Sequence, residues 1–131
     1  MPYTTLIDEK QGIIETTLTG LATAQDIIEI MKQDVEIAIS KKCYYWINDF
    51  SEAEYDMSTF EIYDFPKELM RLAERLGPER YRIKRAIVSS RIDENQKFAQ
   101  LVSVNRGQSL GLFDSIEEAR KWITEKIDES A

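Results

Sequence analysis

Cys43-Tyr44-Tyr45-Trp46-Ile47-Asn48-Asp49 is the stretch on which the fold turns. Its first five side chains are dense in β-formers, too short a run and too aromatic for a helix. A near-continuous apolar run of this length reads as a strand buried on both faces. Alternation puts Tyr44 and Trp46 on one side and Tyr45 and Ile47 on the other. The strand is expected to end at Asn48-Asp49.

Working back from it, Thr23 to Lys42 reads as a helix. Thr23 is a good N-cap, and Asp26 three residues on suits the reciprocal bond of a capping box and the helix dipole. Ile27, Ile30, Met31, Val35 and Ala38 recur at three- and four-residue spacing and mark one apolar face. Lys41-Lys42 supplies cations at the end, where they are favoured. Before the helix, Tyr3 to Glu9 and Ile13 to Leu18 flank the turn Lys10-Gln11-Gly12 and read as a hairpin, with Thr19-Gly20 closing its second strand.

Working forward, residues 50–57 read as a polar loop. Ser58 and Glu61 form a Ser-x-x-Glu capping box at a helix start. Pro66 either kinks this helix or begins a second one. Leu69, Leu72, Ala73 and Leu76 give its inward stripe, and Gly77-Pro78 stops it. Arg82 to Ser90, with Ile83 and Ala86-Ile87-Val88, is a further strand. Asp93 caps a helix running through Phe98, Leu101, Val102 and Asn105 to Gly107. Leu110 to Phe113 is a short strand, and Asp114 to Glu118 opens a last helix whose Ala119, Trp122, Ile123 and Ile127 face inward. The order is ββαβαβαβα. It predicts one α/β domain over residues 1–131, with a mostly parallel mixed sheet of about five strands, helices packed on it and an antiparallel N-terminal hairpin.

Composition narrows the function classes. The 131 residues include no histidine, which removes an imidazole base, a histidine metal ligand and a His-centred triad. One cysteine allows neither an intrachain disulfide nor a cysteine-built zinc site. The net charge of −7 disfavours nucleic acid and anionic membrane surfaces. That charge is uneven: residues 1–66 carry −9, residues 67–106 carry +5 and residues 107–131 carry −3. The start of the chain lacks the basic and apolar regions of a secretory signal, and no apolar run approaches a membrane span, so a cytoplasmic protein without membrane insertion is expected.

Four features together resemble the STAS domain family, in its SpoIIAA-like branch grouped with SEC14-like lipid-binding proteins. They are the element order, a strand ending at Asp49 followed by a loop and Asp56-Met57-Ser58-Thr59, the apolar strand with Ala86-Ile87-Val88, and the closing run Leu112-Phe113-Asp114-Ser115-Ile116-Glu117-Glu118-Ala119-Arg120-Lys121-Trp122-Ile123. In STAS anti-sigma-factor antagonists the corresponding loop carries Asp-Ser-Ser-Gly, and its second serine is phosphorylated by a partner kinase. The resemblance places Asp56 on the Asp, Met57 on the first serine, Ser58 on the phospho-acceptor and Thr59 on the glycine, so two of the four positions depart. Asp49, Asp56, Met57 and Thr59 then belong to a switch loop around Ser58. A phosphate there would meet free helix N–H groups and add about −1.5 to −2 charges beside Glu52, Glu54 and Asp56. The plainer role of Ser58 is an N-cap worth about 1 kcal/mol.

Eight of the 13 aromatic residues fall between Tyr44 and Phe65. Phe50, Tyr55, Phe60 and Tyr63 lie outside the predicted strand core and are candidates for a ligand pocket or partner patch near the carboxyl ends of the strands. Arg80, Arg82 and Lys84 alternate toward the fourth strand and, with Lys67, Arg71 and Arg75, offer either a cationic patch or a solvated face paired with Glu68, Glu74 and Glu79. Asp49, Glu52 and Asp56 have no fixed metal-ligand spacing. Cys43 reads as a buried, inert thiol. No catalytic residue, metal or cofactor is expected, because Ser58 has no base to activate it. The expected function is a non-enzymatic STAS-like regulatory or protein-binding module controlled at Ser58. The alternative is a SEC14-like carrier or sensor of a lipid or small hydrophobic ligand, and a homodimer remains open.

Overall fold

A computed structural model describes residues 3–90, 96, 97, 100, 104 and 108–130. The N-terminal hairpin joins β1 (Tyr3–Asp8) to β2 (Ile13–Thr23) through a turn in which Gly12 takes φ +74°, a left-handed conformation that costs glycine little. Asp8 holds that turn, since its Oδ1 accepts from the Gln11 N–H at 3.1 Å. The chain continues through α1 (Ala24–Lys41), β3 (Tyr45–Asp56), α2 (Thr59–Ala73), a 3-10 segment (Glu74–Arg82), β4 (Lys84–Val88), β5 (Ser109–Phe113) and α3 (Ile116–Ser130). The sheet order is β1-β2-β3-β4-β5, with β1 antiparallel to β2 and every later pair parallel. This is the expected five-strand mixed α/β sheet, with β3 at its centre.

The two sheet faces carry separate cores. On one, Ile14, Leu18, Trp46 and Phe50 pack with Ile30, Met31 and Val35 of α1 and Leu69 of α2. On the other, Ile47, Ala86 and Val88 pack with Ala119 and Ile123 of α3. Strand alternation therefore divides Trp46 from Ile47 as the sequence suggests. Two successive parallel crossovers moving the same way across the sheet put α1 and α2 on one face, as right-handed connections require. Trp46 is fully buried, and its indole N–H donates to the Cys43 carbonyl at 3.0 Å. Truncating such a side chain to alanine costs about 3–5 kcal/mol.

Both capping boxes form. Thr23 Oγ1 accepts from the Asp26 N–H at 3.2 Å, and Asp26 Oδ2 accepts from the Thr23 N–H at 2.9 Å. The last helix is capped by Ser115, whose Oγ accepts from the Glu118 N–H at 3.2 Å. Pro66 lies buried inside one continuous α2 and starts no second helix; its carbonyl accepts from Gln108 Nε2 at 2.8 Å. Gln96, Lys97, Gln100 and Val104 are helical. The remainder of the helix expected there, with Asp93, Phe98, Leu101, Val102, Asn105 and Gly107, lies outside the described residues.

Three boundaries differ from the sequence reading. β2 passes through Gly20 and ends at Thr23, and β3 does not stop at Asp49 but runs to Asp56. The reason is mutual: Thr19 to Thr23 pair with Glu52 to Asp56, so each run supplies the other's hydrogen bonds. The expected loop at 50–57 is therefore mostly strand. Arg80 and Arg82 sit in the 3-10 segment, not on β4, because Pro78 and the positive φ of Gly77 (+60°) shape a helical turn ahead of the strand. No helix among the described residues is long and apolar enough to cross a membrane.

Candidate functional site

The site is built on a step in the sheet. β3 pairs with β4 only from Tyr45 to Asp49 but with β2 all the way to Asp56. Between Thr17↔Asp49 and Thr19↔Glu52 the register shifts, so β3 carries one residue more than β2. That extra residue is a bulge. Asp49 holds it: its Oδ1 accepts from the Ser51 N–H at 3.1 Å and from Ser51 Oγ at 2.7 Å.

The bulge reverses which residues face the helices. Before it Trp46, Asn48 and Phe50 point toward α1 and α2; beyond it Ala53 and Tyr55 do, while Glu52, Glu54 and Asp56 are exposed. Phe50 and Tyr55, five residues apart, thus meet on one face, with ring centroids 6.5 Å apart and edge-on. Met57 follows them into the same wall. Tyr55 is fixed at its far end, where its hydroxyl donates to Ser89 Oγ at 3.2 Å. Ser89 also accepts from Gln96 Nε2 at 3.3 Å, and its N–H donates to the Phe113 carbonyl at 2.9 Å.

Beneath the step lies a partly open cavity of about 70 Å³. Phe50, Tyr55 and Met57 form one wall, Ile62, Phe65 and Pro66 of α2 another, and Ile87, Leu110 and Leu112 the floor. Arg85 is the one cation lining it among the described residues.

Arg85 belongs to a buried polar group that the sequence reading did not single out. Asp34 is 1% exposed, Arg85 4% and Asn48 2%. Asn48 Nδ2 donates to Asp34 Oδ2 at 3.4 Å, while Asp34 Oδ1 and Arg85 Nε are buried without a hydrogen-bond partner. Burial pushes the Asp34 carboxyl up to about 7, against the opposing effects of the Asn48 hydrogen bond and the Arg85 charge. Burial likewise lowers Arg85 to about 10, partly offset by Asp34. The signal was present in the chain. Asp34 stands four residues after Ile30 and four before Ala38, inside the apolar stripe of α1. Arg85 sits among Ala86, Ile87 and Val88, on a strand with neighbours on both sides.

The other candidate residues separate. Ser58 is exposed as the N-cap of α2: its Oγ accepts from the Glu61 N–H at 3.2 Å, and Glu61 Oε1 accepts from the Ser58 N–H at 2.8 Å. Asp56 ends β3 opposite Thr23, and Thr59 is the first residue of α2. Phe60 is 85% exposed and Tyr63 is also exposed, so these two stand on the outer surface of α2 and not in the cavity. Of the six candidate cations three are ion-paired among the described residues: Arg71 with Glu68 at 2.7 Å, Arg82 with Glu79 at 2.8 Å, and Arg75 with Glu36 of α1, in place of the expected Glu74. Arg82 also lies over the Tyr44 ring, 4.6 Å from its centroid. Asp49, Glu52 and Asp56 do not converge, and no group of three metal-ligating side chains occurs among the described residues. Cys43 is buried, and that burial raises its thiol pKa.

No protein-family model matches the sequence, and no curated protein matches it. Solved structures do match in fold. The anti-sigma factor antagonist SpoIIAA in its unphosphorylated form aligns with a TM-score of 0.54 at 15% identity, covering 98% of this chain and 96% of that one. An uncharacterised protein of the DUF3478 family with a SpoIIAA-like fold, from Shewanella loihica, aligns with a TM-score of 0.54 at 20% identity, covering 92% of this chain and 93% of its own. The Bacillus cell fate determinant SpoIIAA in the phosphorylated form aligns with a TM-score of 0.51 at 15% identity, over 92% and 98% of the two chains. The SEC14-like carrier alternative receives no support from these structures. The alignments span nearly the whole of each chain, and this chain has the SpoIIAA-like fold.

Proposed function

We propose that this chain is a regulatory module without catalytic activity of its own, that it docks a protein partner at the N-terminal end of α2, and that phosphorylation of Ser58 controls the docking. The observation that carries this is the pairing of an exposed serine at the N-cap with Phe60, 85% exposed, two residues on. An exposed aromatic is a typical anchor for a partner's pocket. The fold likeness to an anti-sigma factor antagonist described in both unphosphorylated and phosphorylated forms supports the same reading.

The chemistry is local. A phosphate on Ser58 Oγ takes up the first-turn N–H groups of α2, a position that favours anions, and displaces the Glu61 carboxylate from the N-cap. It also adds negative charge directly after Glu52, Glu54 and Asp56. A partner with an acidic face is then repelled without any unfolding of the helix.

The test begins with phosphosite mapping on protein isolated from its own host, which should find the modification at Ser58. Affinity capture then compares the unmodified chain with Ser58→Ala, Ser58→Asp and Phe60→Ala. Ser58→Asp and Phe60→Ala should lose a protein that the unmodified chain and Ser58→Ala retain. Equal recovery by all four refutes the proposal.

A further inference from the structure

We propose that the cavity beneath the β3 step binds a small monocarboxylate, its short apolar body against the aromatic and aliphatic walls and its carboxylate on the Arg85 guanidinium. Arg85 is 4% exposed and lines this cavity, and its side-chain Nε is buried without a hydrogen-bond partner. A charged donor held out of water without a partner is costly, and a ligand acceptor removes that cost. The planar guanidinium fork matches a carboxylate in two parallel bonds.

Size and charge define the class. The volume of about 70 Å³ is roughly half that of an engineered apolar cavity that holds benzene, about 150 Å³. That suits a branched or straight acid of a few carbons and excludes a long acyl chain. Arg85, the one lining cation among the described residues, offsets one negative charge. A phosphate monoester would bring about −1.5 to −2 into apolar walls and toward Asp34. Asp34 attracts Arg85 across a gap with no hydrogen bond between them, and so competes with the ligand. The site does not involve Ser58 or Phe60, so it stands or falls separately from the docking reading.

The test is a titration of the isotope-labelled chain with butyrate, acetate, octanoate and butyramide, followed by amide chemical shifts. Butyrate should saturate in the millimolar range or below and shift Ile87 and Leu112. Butyramide, which cannot use the charge, should bind about ten- to a hundredfold more weakly. Octanoate should gain nothing over butyrate. Asp34→Asn should tighten butyrate binding, and Arg85→Met should abolish it while circular dichroism stays native. Leu112→Phe keeps Arg85 but fills the cavity, so it must abolish binding even where Arg85→Met fails to fold. Equal binding of butyrate and butyramide, no saturable binding at all, undiminished binding by Leu112→Phe, or affinity that climbs through octanoate each overturns the proposal.

Discussion

Replacing Asp34 with asparagine should flatten the pH dependence of stability. Asp34 is buried on α1 and its carboxyl is raised from 3.8 to about 7. The folded state therefore holds the proton more tightly than the unfolded chain does. Stability from this group is fully present below about pH 4, declines as pH rises, and is lost above about pH 7. Linkage over that shift amounts to about 4 kcal/mol in total, of which about 2–3 kcal/mol falls between about pH 5 and about pH 8. Asparagine has the same shape and still accepts from Asn48, but it carries no proton to lose. Any constant cost of its amide shifts the whole curve and leaves the slope untouched. Other titrating groups are common to both proteins and cancel in the difference. Urea unfolding at a series of pH values measures it: Asp34→Asn should gain about 2–3 kcal/mol relative to the parent between those two pH values. Parallel curves for the two proteins would show that Asp34 ionises freely in the folded state, and the buried-pair account would fail.

Other perturbations follow from single contacts. A Cβ at Gly111 would lie 2.7 Å from Phe113 Cε2, on a ring packed against Trp122, so Gly111→Ala should lower stability by about 1–3 kcal/mol in urea unfolding; an unchanged midpoint would contradict the packing described. Thr23→Ala removes one arm of the α1 capping box and should cost about 1 kcal/mol in thermal unfolding. Arg120 makes a two-pronged contact with Glu15, at 3.1 and 2.9 Å, but is largely exposed. Arg120→Ala should cost under about 1 kcal/mol, and the difference should shrink in high salt. Cys43 should resist alkylation until the chain is unfolded, and rapid labelling of the folded protein would contradict its burial.

Much of the fold is legible because periodicity and capping agree. Thr23 with Asp26 and Ser58 with Glu61 announce their helices, and the aromatic run at 44–46 announces the central strand. What misleads is Ser51-Glu52-Ala53-Glu54, whose polarity suggests a loop. Those residues alternate outward and inward on a strand with a partner only on the β2 side, so half of them need not be apolar. The bulge at Asp49 leaves no mark that periodicity detects, because a two-residue repeat counted across it comes out on the wrong face. The candidate site was half visible for the same reason. Phe50 and Tyr55 could be named but not placed together, and Phe60 and Tyr63 turn out to stand elsewhere. Arg85 and Asp34 are charged residues in apolar patterns, and composition-level reasoning assigns such residues to the surface.

The bulge on β3 also changes how related chains would have to be compared. A gap of one residue in an alignment is ordinarily taken as a loop trimmed or lengthened, with little effect on what surrounds it. Here a single deletion between Asp49 and Glu52 would only remove the bulge: Thr19 would still pair with Glu52, and plain alternation would keep Ala53 and Tyr55 facing the helices. A single deletion between Glu52 and Tyr55 has the opposite effect, because every residue beyond it moves one place along β2 and changes face. Two sequences differing by that one position could match well at nearly every other site and still have no cavity in common.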